Sequence, residues 1–234
     1  MTGNRAVFMK AWRASLPVMA GYLVLGAGFG MVLRNAGYGP GWALAMSVFI
    51  YAGAMQFVMV NLLTGGASLL TVAVTTLLVN ARHVFYGISM IDRYHNTGKV
   101  KPYLICALTD ETYSLLCTDT RLMPPEGEKR TAYCFWVSLL NHCYGVAGSV
   151  AGALFGAVVP FSTRGIDFSL TALFLTTLVD QWRSGKGRVY NGAGLGLSAL
   201  CLLIFGKENF LIPAMILILA FLMLADRERR PERG

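Results

Sequence analysis

Apolar residues fill eight stretches of the chain: 14–33, 40–63, 67–91, 102–118, 132–159, 166–182, 192–205 and 208–225. Polar clusters separate them. Within each stretch the apolar positions lie on every side instead of alternating, and 212–224 carries no polar side chain at all. A helix needs about 20 largely apolar residues to cross the hydrocarbon, whereas a barrel strand alternates over about ten. The pattern therefore predicts an all-α integral membrane protein. The expected architecture is a polytopic bundle of about eight transmembrane helices, or seven if the short, Gly-rich 192–205 does not cross.

Composition sharpens this picture. Of the 234 residues 55% are hydrophobic and 14% are charged, against about 25% charged in soluble domains. Little chain remains outside the apolar stretches, so 1–234 reads as one transmembrane domain. Residues 1–13 form a cytoplasmic N-terminal segment and 226–234 a charged cytoplasmic tail. The first apolar run follows Arg5, Lys10 and Arg13 and continues to Leu33. That is too long for the apolar core of a cleavable signal, and it reads as an anchored helix. Pro17, one turn into this run, sits where a helix tolerates proline.

The net charge of +8 has a plain cause in a membrane protein, because Lys and Arg collect on cytoplasmic loops. With eight crossings and the N-terminus inside, thirteen cations fall on inner loops. They are Arg5, Lys10, Arg13, Arg121, Lys129, Arg130, Arg183, Lys186, Arg188 and the four arginines of the tail. Six fall outside: Arg34, Arg93, Lys99, Lys101, Arg164 and Lys207. One loop runs against the trend, since 92–101 places three cations outside. A re-entrant or broken segment near Asn80 would bring that loop inside, but would flip everything downstream. The five cysteines lie in or beside apolar stretches without a CxxC pair, as small apolar packing residues do.

Glycines punctuate two of the stretches. Gly145, Gly148, Gly152 and Gly156 recur at three- and four-residue spacing and make one smooth helix face. Such faces let membrane helices approach closely, and Gly21, Gly26, Gly28 and Gly30 suit the same purpose. A weak internal echo pairs Gly26–Gly30 and the following Met55-Gln56-Phe57 with Gly148–Gly156 and the following Asp180-Gln181-Trp182. Transporters are often built from repeats that meet at the substrate site.

Candidate chemistry lies in the polar groups within the apolar stretches. Asn80-Ala81-Arg82-His83 falls in the third, and Asp110-Glu111 near the centre of the fourth. Ionisable groups in hydrocarbon are costly and mark pathways or pairs. Asn80 is placed to cap a helix interruption whose freed backbone groups face a cavity. Arg82 and Asn80, with Gln56, Asn141 and Gln181, are the candidate substrate-binding residues. His83, Asp110 and Glu111 are the candidate proton-coupling or ion-pairing residues, and Arg82 suits either carboxylate. Two blander readings stand beside these: Arg82 and His83 snorkel to the membrane rim, or Arg82 and a carboxylate form a static pair. His142 beside Cys143 has no second ligand at helical spacing, so no metal site and no cofactor are expected. No Walker A, HExxH or GxSxG sequence occurs, and no enzymatic activity is predicted.

Three segments, Tyr51-Ala52-Gly53-Ala54-Met55-Gln56-Phe57, Asn80-Ala81-Arg82-His83 with Tyr86-Gly87, and Thr109-Asp110-Glu111-Thr112, resemble signature segments of the AzlC/YgaZ family. The resemblance runs from about Arg13 to Met223. It implies a bacterial inner-membrane exporter of valine, leucine, isoleucine, methionine or similar hydrophobic amino acids. It also implies a small multi-helix partner subunit of the AzlD/YgaH type. Coupling to protons is the expected energy source. A passive channel for small solutes, or a non-transporting assembly subunit, is the alternative.

Overall fold

The computed structural model of the protein describes residues 2–118, 123–124, 127–156 and 188–210, with single positions and short runs between 175 and 182 and between 213 and 221. Regular structure among the described residues is helical throughout, as the apolar pattern predicted. Two compact units divide at Ile166.

In the first unit, α1 (Thr2–Asn35) and α7 (Glu128–Phe155) are the long elements. They run in parallel. The Phe8 ring meets Trp136 at 5.0 Å, the Tyr22 ring lies on Gly145, and Met31 meets Gly156. Glycine makes this approach possible. A Cβ added at Gly30 would stand 2.1 Å from the Ser149 carbonyl oxygen, and one at Gly152 2.1 Å from that of Ala27. Gly26 and Gly148 are closed off in the same way, at 2.8 Å from backbone atoms of the other helix. In lipid, where apolar surface gains little from leaving its solvent, such contact replaces the hydrophobic drive. Gly21 and Gly28 face open space and take no part. Pro17 is internal to α1, because the helix begins well before the apolar run, at Thr2.

The second apolar stretch, expected as one spanning helix, is two: α2 (Pro40–Phe49) and α3 (Gly53–Thr64). The break falls at Tyr51, which has φ 37°, a left-handed conformation that costs a side-chain-bearing residue about 1–3 kcal/mol. The chain reverses there. The Gln56 amide donates to Ser47 Oγ at 2.9 Å, whereas nine residues of unbroken helix would separate the two by about 13 Å. α2 starts a short turn after α1 ends, and the turn is pinned by Tyr38 N–H on the Leu33 carbonyl. At the bend the Tyr51 ring reaches Tyr22. α3 then climbs back, with Phe57 against Phe29. α2 and α3 thus form a re-entrant hairpin that enters and leaves on the side where α1 ends.

The fourth apolar stretch repeats the device from the opposite side. α5 (Lys101–Cys106) and α6 (Asp110–Thr118) flank a turn at 107–109. Tyr103 and Thr112 contact adjacent residues of α7, His142 and Asn141, which a straight helix would not permit. Thr109 Oγ1 accepts from the Thr112 N–H at 3.4 Å and caps α6, while Asp110 and Glu111 occupy the first turn and favour the positive end of the helix dipole.

Between the hairpins, α4 (Leu69–Ser89) runs unbroken through Asn80, with Ser68 as its N-cap. The interruption expected near Asn80 is absent. The 69–86 stretch holds neither glycine nor proline, and one Asn does not outweigh its helix-forming neighbours. α6 lies alongside α4 in the same direction: Arg82 meets Asp110, Tyr86 stacks on Tyr113, and Met90 meets Cys117.

This topology corrects the membrane map for residues 2–156. The stretches 40–63 and 102–118, expected as single spans, fold back as hairpins, while α1 and α4 are each long and apolar enough to cross a membrane and α7 runs alongside α1. Met90 and Tyr94 share a buried cluster with Val7, Ala11 and Ala14 of α1 and with Tyr133, Cys134 and Val137 of α7. The 92–101 loop therefore lies on the N-terminal side. The first hairpin brings it there and the second undoes the downstream flip. Among the described residues of this unit, Arg5, Lys10, Arg13, Arg93, Lys99, Lys101, Lys129 and Arg130 now fall on one side and Arg34 on the other. The loop that violated the charge rule no longer does.

In the second unit, α8 (Arg188–Asn209) departs from helical geometry at Gly206, φ 72°. Its 189–206 portion is long and apolar enough to cross a membrane. The 166–182 stretch, most of 208–225 and the second half of the internal echo lie outside the described residues.

Candidate functional site

Both hairpin turns are buried. Tyr51, Ala52, Ala107, Leu108 and Thr109 are each less than a tenth exposed. They come together at one side chain of α1. The Tyr22 hydroxyl lies 2.5 Å from Thr109 Oγ1 and donates to Glu111 Oε2 at 2.9 Å, while its ring lies 6.2 Å from Tyr51 and nearly parallel to it. From α7, the His142 ring stacks on Tyr51 at 4.1 Å. His142 Nε2 is 3.3 Å from the Ser47 carbonyl oxygen, and Nδ1 is 3.3 Å from the Tyr103 hydroxyl. A carbonyl oxygen only accepts, so Nε2 carries the proton and, in the neutral ring, Nδ1 accepts from Tyr103. A single imidazole thereby ties together the two hairpins.

The start of α3 faces this junction without a side-chain cap. The first N–H to bond back is that of Gln56, to the Ala52 carbonyl, so the N–H groups of Gly53, Ala54 and Met55 precede the intrahelical ladder. Such groups, with the helix dipole behind them, favour an anion. Glu111 also borders the junction, where it accepts from the Tyr22 hydroxyl. An uncapped helix start beside Tyr51 and a carboxylate on the Tyr22 hydroxyl thus both border the junction.

The residues singled out in the sequence divide into two groups. Arg82 bonds Asp110 at 2.5 Å, pairing α4 with the first turn of α6. Asp110 Oδ1 is buried without a hydrogen-bond partner. Asn141 is fully buried and donates to Thr112 Oγ1 at 3.0 Å, and Thr112 in turn accepts from Thr109. Glu111 and Asn141 therefore belong to the junction directly, and Asp110 adjoins it. Gln56 sits inside the first hairpin and bonds across it to Ser47. Asn80 and His83 stand on α4, with His83 Nδ1 3.2 Å from the Asn80 carbonyl oxygen and its ring edge-on to Tyr86. They do not join the hairpin turns. Gln181 lies outside the described residues. Tyr22, Tyr51, Tyr103, Thr109, Thr112 and His142 hold the junction together without having been singled out as site residues. The Thr-Asp-Glu-Thr run was the available signal for one of the turns, because a Thr followed by acidic residues marks a helix start.

The family model for the AzlC protein matches residues 17–159. The chain is 42% identical over 217 residues to the "Branched-chain amino acid transport protein AzlC" of Bacillus subtilis, covering 93% of this chain and 84% of that one. It is also 42% identical over 225 residues to an "Uncharacterized membrane protein" of Helicobacter pylori, covering 94% and 97%. With the "Inner membrane protein YgaZ" of Escherichia coli the identity is 30% over 222 residues, covering 91% and 86%. No solved structure matches the chain.

Proposed function

Because the chain belongs to the AzlC family, we propose that it carries branched-chain and other hydrophobic amino acids across the bacterial inner membrane, in the direction of export and coupled to protons. The observation that carries this reading is the junction of two opposed hairpins at Tyr22, bordered by an uncapped helix start and by a carboxylate. An amino acid is a zwitterion. Its carboxylate suits the Gly53–Met55 amides, and its ammonium suits Glu111 with Thr109 and the free oxygen of Asn141. Its side chain packs on the Tyr51 and Tyr22 rings. Discontinuous helices that offer half-helix ends to a substrate are a recurring transporter design.

In this reading Arg82 and Asp110 lock α4 to the second hairpin and set its position, instead of meeting the substrate as an open pair. Glu111 is the favoured proton carrier, with Asp110 and His83 as neighbours that tune it. Gln56 stiffens the first hairpin. The cation asymmetry favours a cytoplasmic location for the N-terminal side. A small AzlD/YgaH-type subunit completes the exporter.

Labelled-valine counterflow in proteoliposomes, with and without the small subunit, tests the reading. Wild-type exchange of valine, leucine, isoleucine and methionine is expected, accelerated by an imposed proton gradient, with Glu111→Gln at least about tenfold slower. Flux that ignores the proton gradient and persists in Glu111→Gln would favour a passive channel instead.

A further inference from the structure

A polar cavity lies away from the hairpin junction. Its volume is about 280 Å³, and it opens between the turn after α4 and the first turns of α7. Asp92, Arg93, His95, Thr97, Arg130 and Thr131 line it, with Gly127 at its α7 end. We propose that it binds a phosphoryl group, supplied either by an anionic phospholipid headgroup or by free phosphate.

Among the described residues that line it, two guanidinium groups share this small space with one carboxylate, that of the exposed Asp92. Arg93 Nη1 is buried and has no hydrogen-bond partner among the described residues. A guanidinium stays charged at any physiological pH, and a buried charged donor without an acceptor is costly. An anion in the cavity removes that cost. At the same place α7 begins at Gly127, which has φ 117° and supplies no side-chain cap. The Arg130 and Thr131 N–H groups bond back to the Gly127 carbonyl, so the N–H groups of 128 and 129 stand ahead of the helical ladder of a 28-residue helix. The planar forks of Arg93 and Arg130 with Thr131 beside them suit a polyatomic oxyanion better than a halide. Phosphate fits well within the volume. The cavity also lies just past the end of α4 at Ser89, where the apolar span finishes and a headgroup would sit.

The test uses the purified full-length protein in neutral detergent. Thermal unfolding is followed with inorganic phosphate against sodium chloride at matched ionic strength. Native mass spectrometry compares retention of phosphatidylglycerol with that of phosphatidylcholine. A saturable rise in unfolding temperature with phosphate assigns the site to the free anion. Selective retention of phosphatidylglycerol without a phosphate effect assigns it to the headgroup. In either case Arg93→Gln and Arg130→Gln are expected to weaken binding about tenfold, and Lys99→Gln, an exposed cation on the same side, to leave it unchanged. Should Arg93→Gln not fold, Arg93→Lys keeps the charge and loses the fork, and is expected to show an intermediate loss. Neither ligand acting, Arg93 and Arg130 variants binding like wild type, or Lys99→Gln losing binding equally would overturn the proposal.

Discussion

Adding one methyl group to Gly152 should damage the protein far more than adding one to Gly28. A Cβ at 152 would lie 2.1 Å from the Ala27 carbonyl oxygen and 2.6 Å from the Ala27 carbonyl carbon and Cα. Ordinary contact begins near 3.4 Å, so α1 and α7 must part locally by roughly 1 Å, because the obstacle is backbone and no side chain can swing aside. A gap of that size forfeits a quarter to a half of the dispersion energy of the facing atoms, and overpacking of this kind costs about 1–3 kcal/mol. Gly28, with nothing within 4 Å, should gain about 0.5–1 kcal/mol when it becomes alanine inside a helix. Thermal unfolding in detergent, read as the loss of monodisperse protein after heating, compares the two variants directly. Transport adds a second readout. Tyr22 of α1 and Asn141 and His142 of α7 meet the hairpin turns, so parting the helices shifts both walls of the junction. If Gly152→Ala is as stable as Gly28→Ala and transports normally, the close α1–α7 seam is not present in the protein.

Three further outcomes follow from the same geometry. In a cysteine-free background, cysteines at Asn96 and Lys129 should react with an impermeant maleimide from one side of the membrane and cysteines at Tyr38 and Gly66 from the other; labelling of 96 and 129 from opposite sides would disprove the second hairpin. Arg82→Gln should destabilise the protein by about 1–3 kcal/mol, less than the loss of a fully buried pair because both side chains are about a third exposed, and Arg82→Gln with Asp110→Asn should recover most of that in thermal unfolding. Tyr22→Phe removes the hydroxyl that bridges Thr109 and Glu111, a loss of about 1–3 kcal/mol and of roughly tenfold or more in valine counterflow, and normal flux in this variant would remove Tyr22 from the site.

Helical class, membrane setting and the positions of α1, α4 and α7 were legible because burial in lipid demands long apolar runs, and those runs are visible one residue at a time. The hairpins were not. Segment 40–63 is apolar on both legs, and hydropathy cannot distinguish a helix that crosses from one that turns back. The reversal is carried by the backbone of Tyr51, a residue type with no preference for positive φ, and it holds because Tyr22, His142 and Gly145 surround the ring. The anomalous cations at 93, 99 and 101 were the one trace of the reversal in the sequence. The polar cluster points to a re-entrant segment at Asn80, whereas packing produces the reversal at Tyr51. The Arg82–Asp110 pair was foreseeable from energetic need, whereas its choice over Glu111 depended on the rotation of α6, which Thr109 sets by capping.

The first hairpin also constrains the order of assembly during synthesis. Neither of its legs is long enough to be released sideways into lipid as a finished span, and its turn leaves backbone donors in need of company. Yet the imidazole and the glycine surface that receive Tyr51 are translated some ninety residues later. Until α7 emerges, the nascent chain must hold a half-inserted loop at the membrane surface or in the care of an insertase. Variants that weaken the Tyr51–His142 contact should therefore show up first as poor membrane integration and degradation, before any defect in the mature carrier is measured.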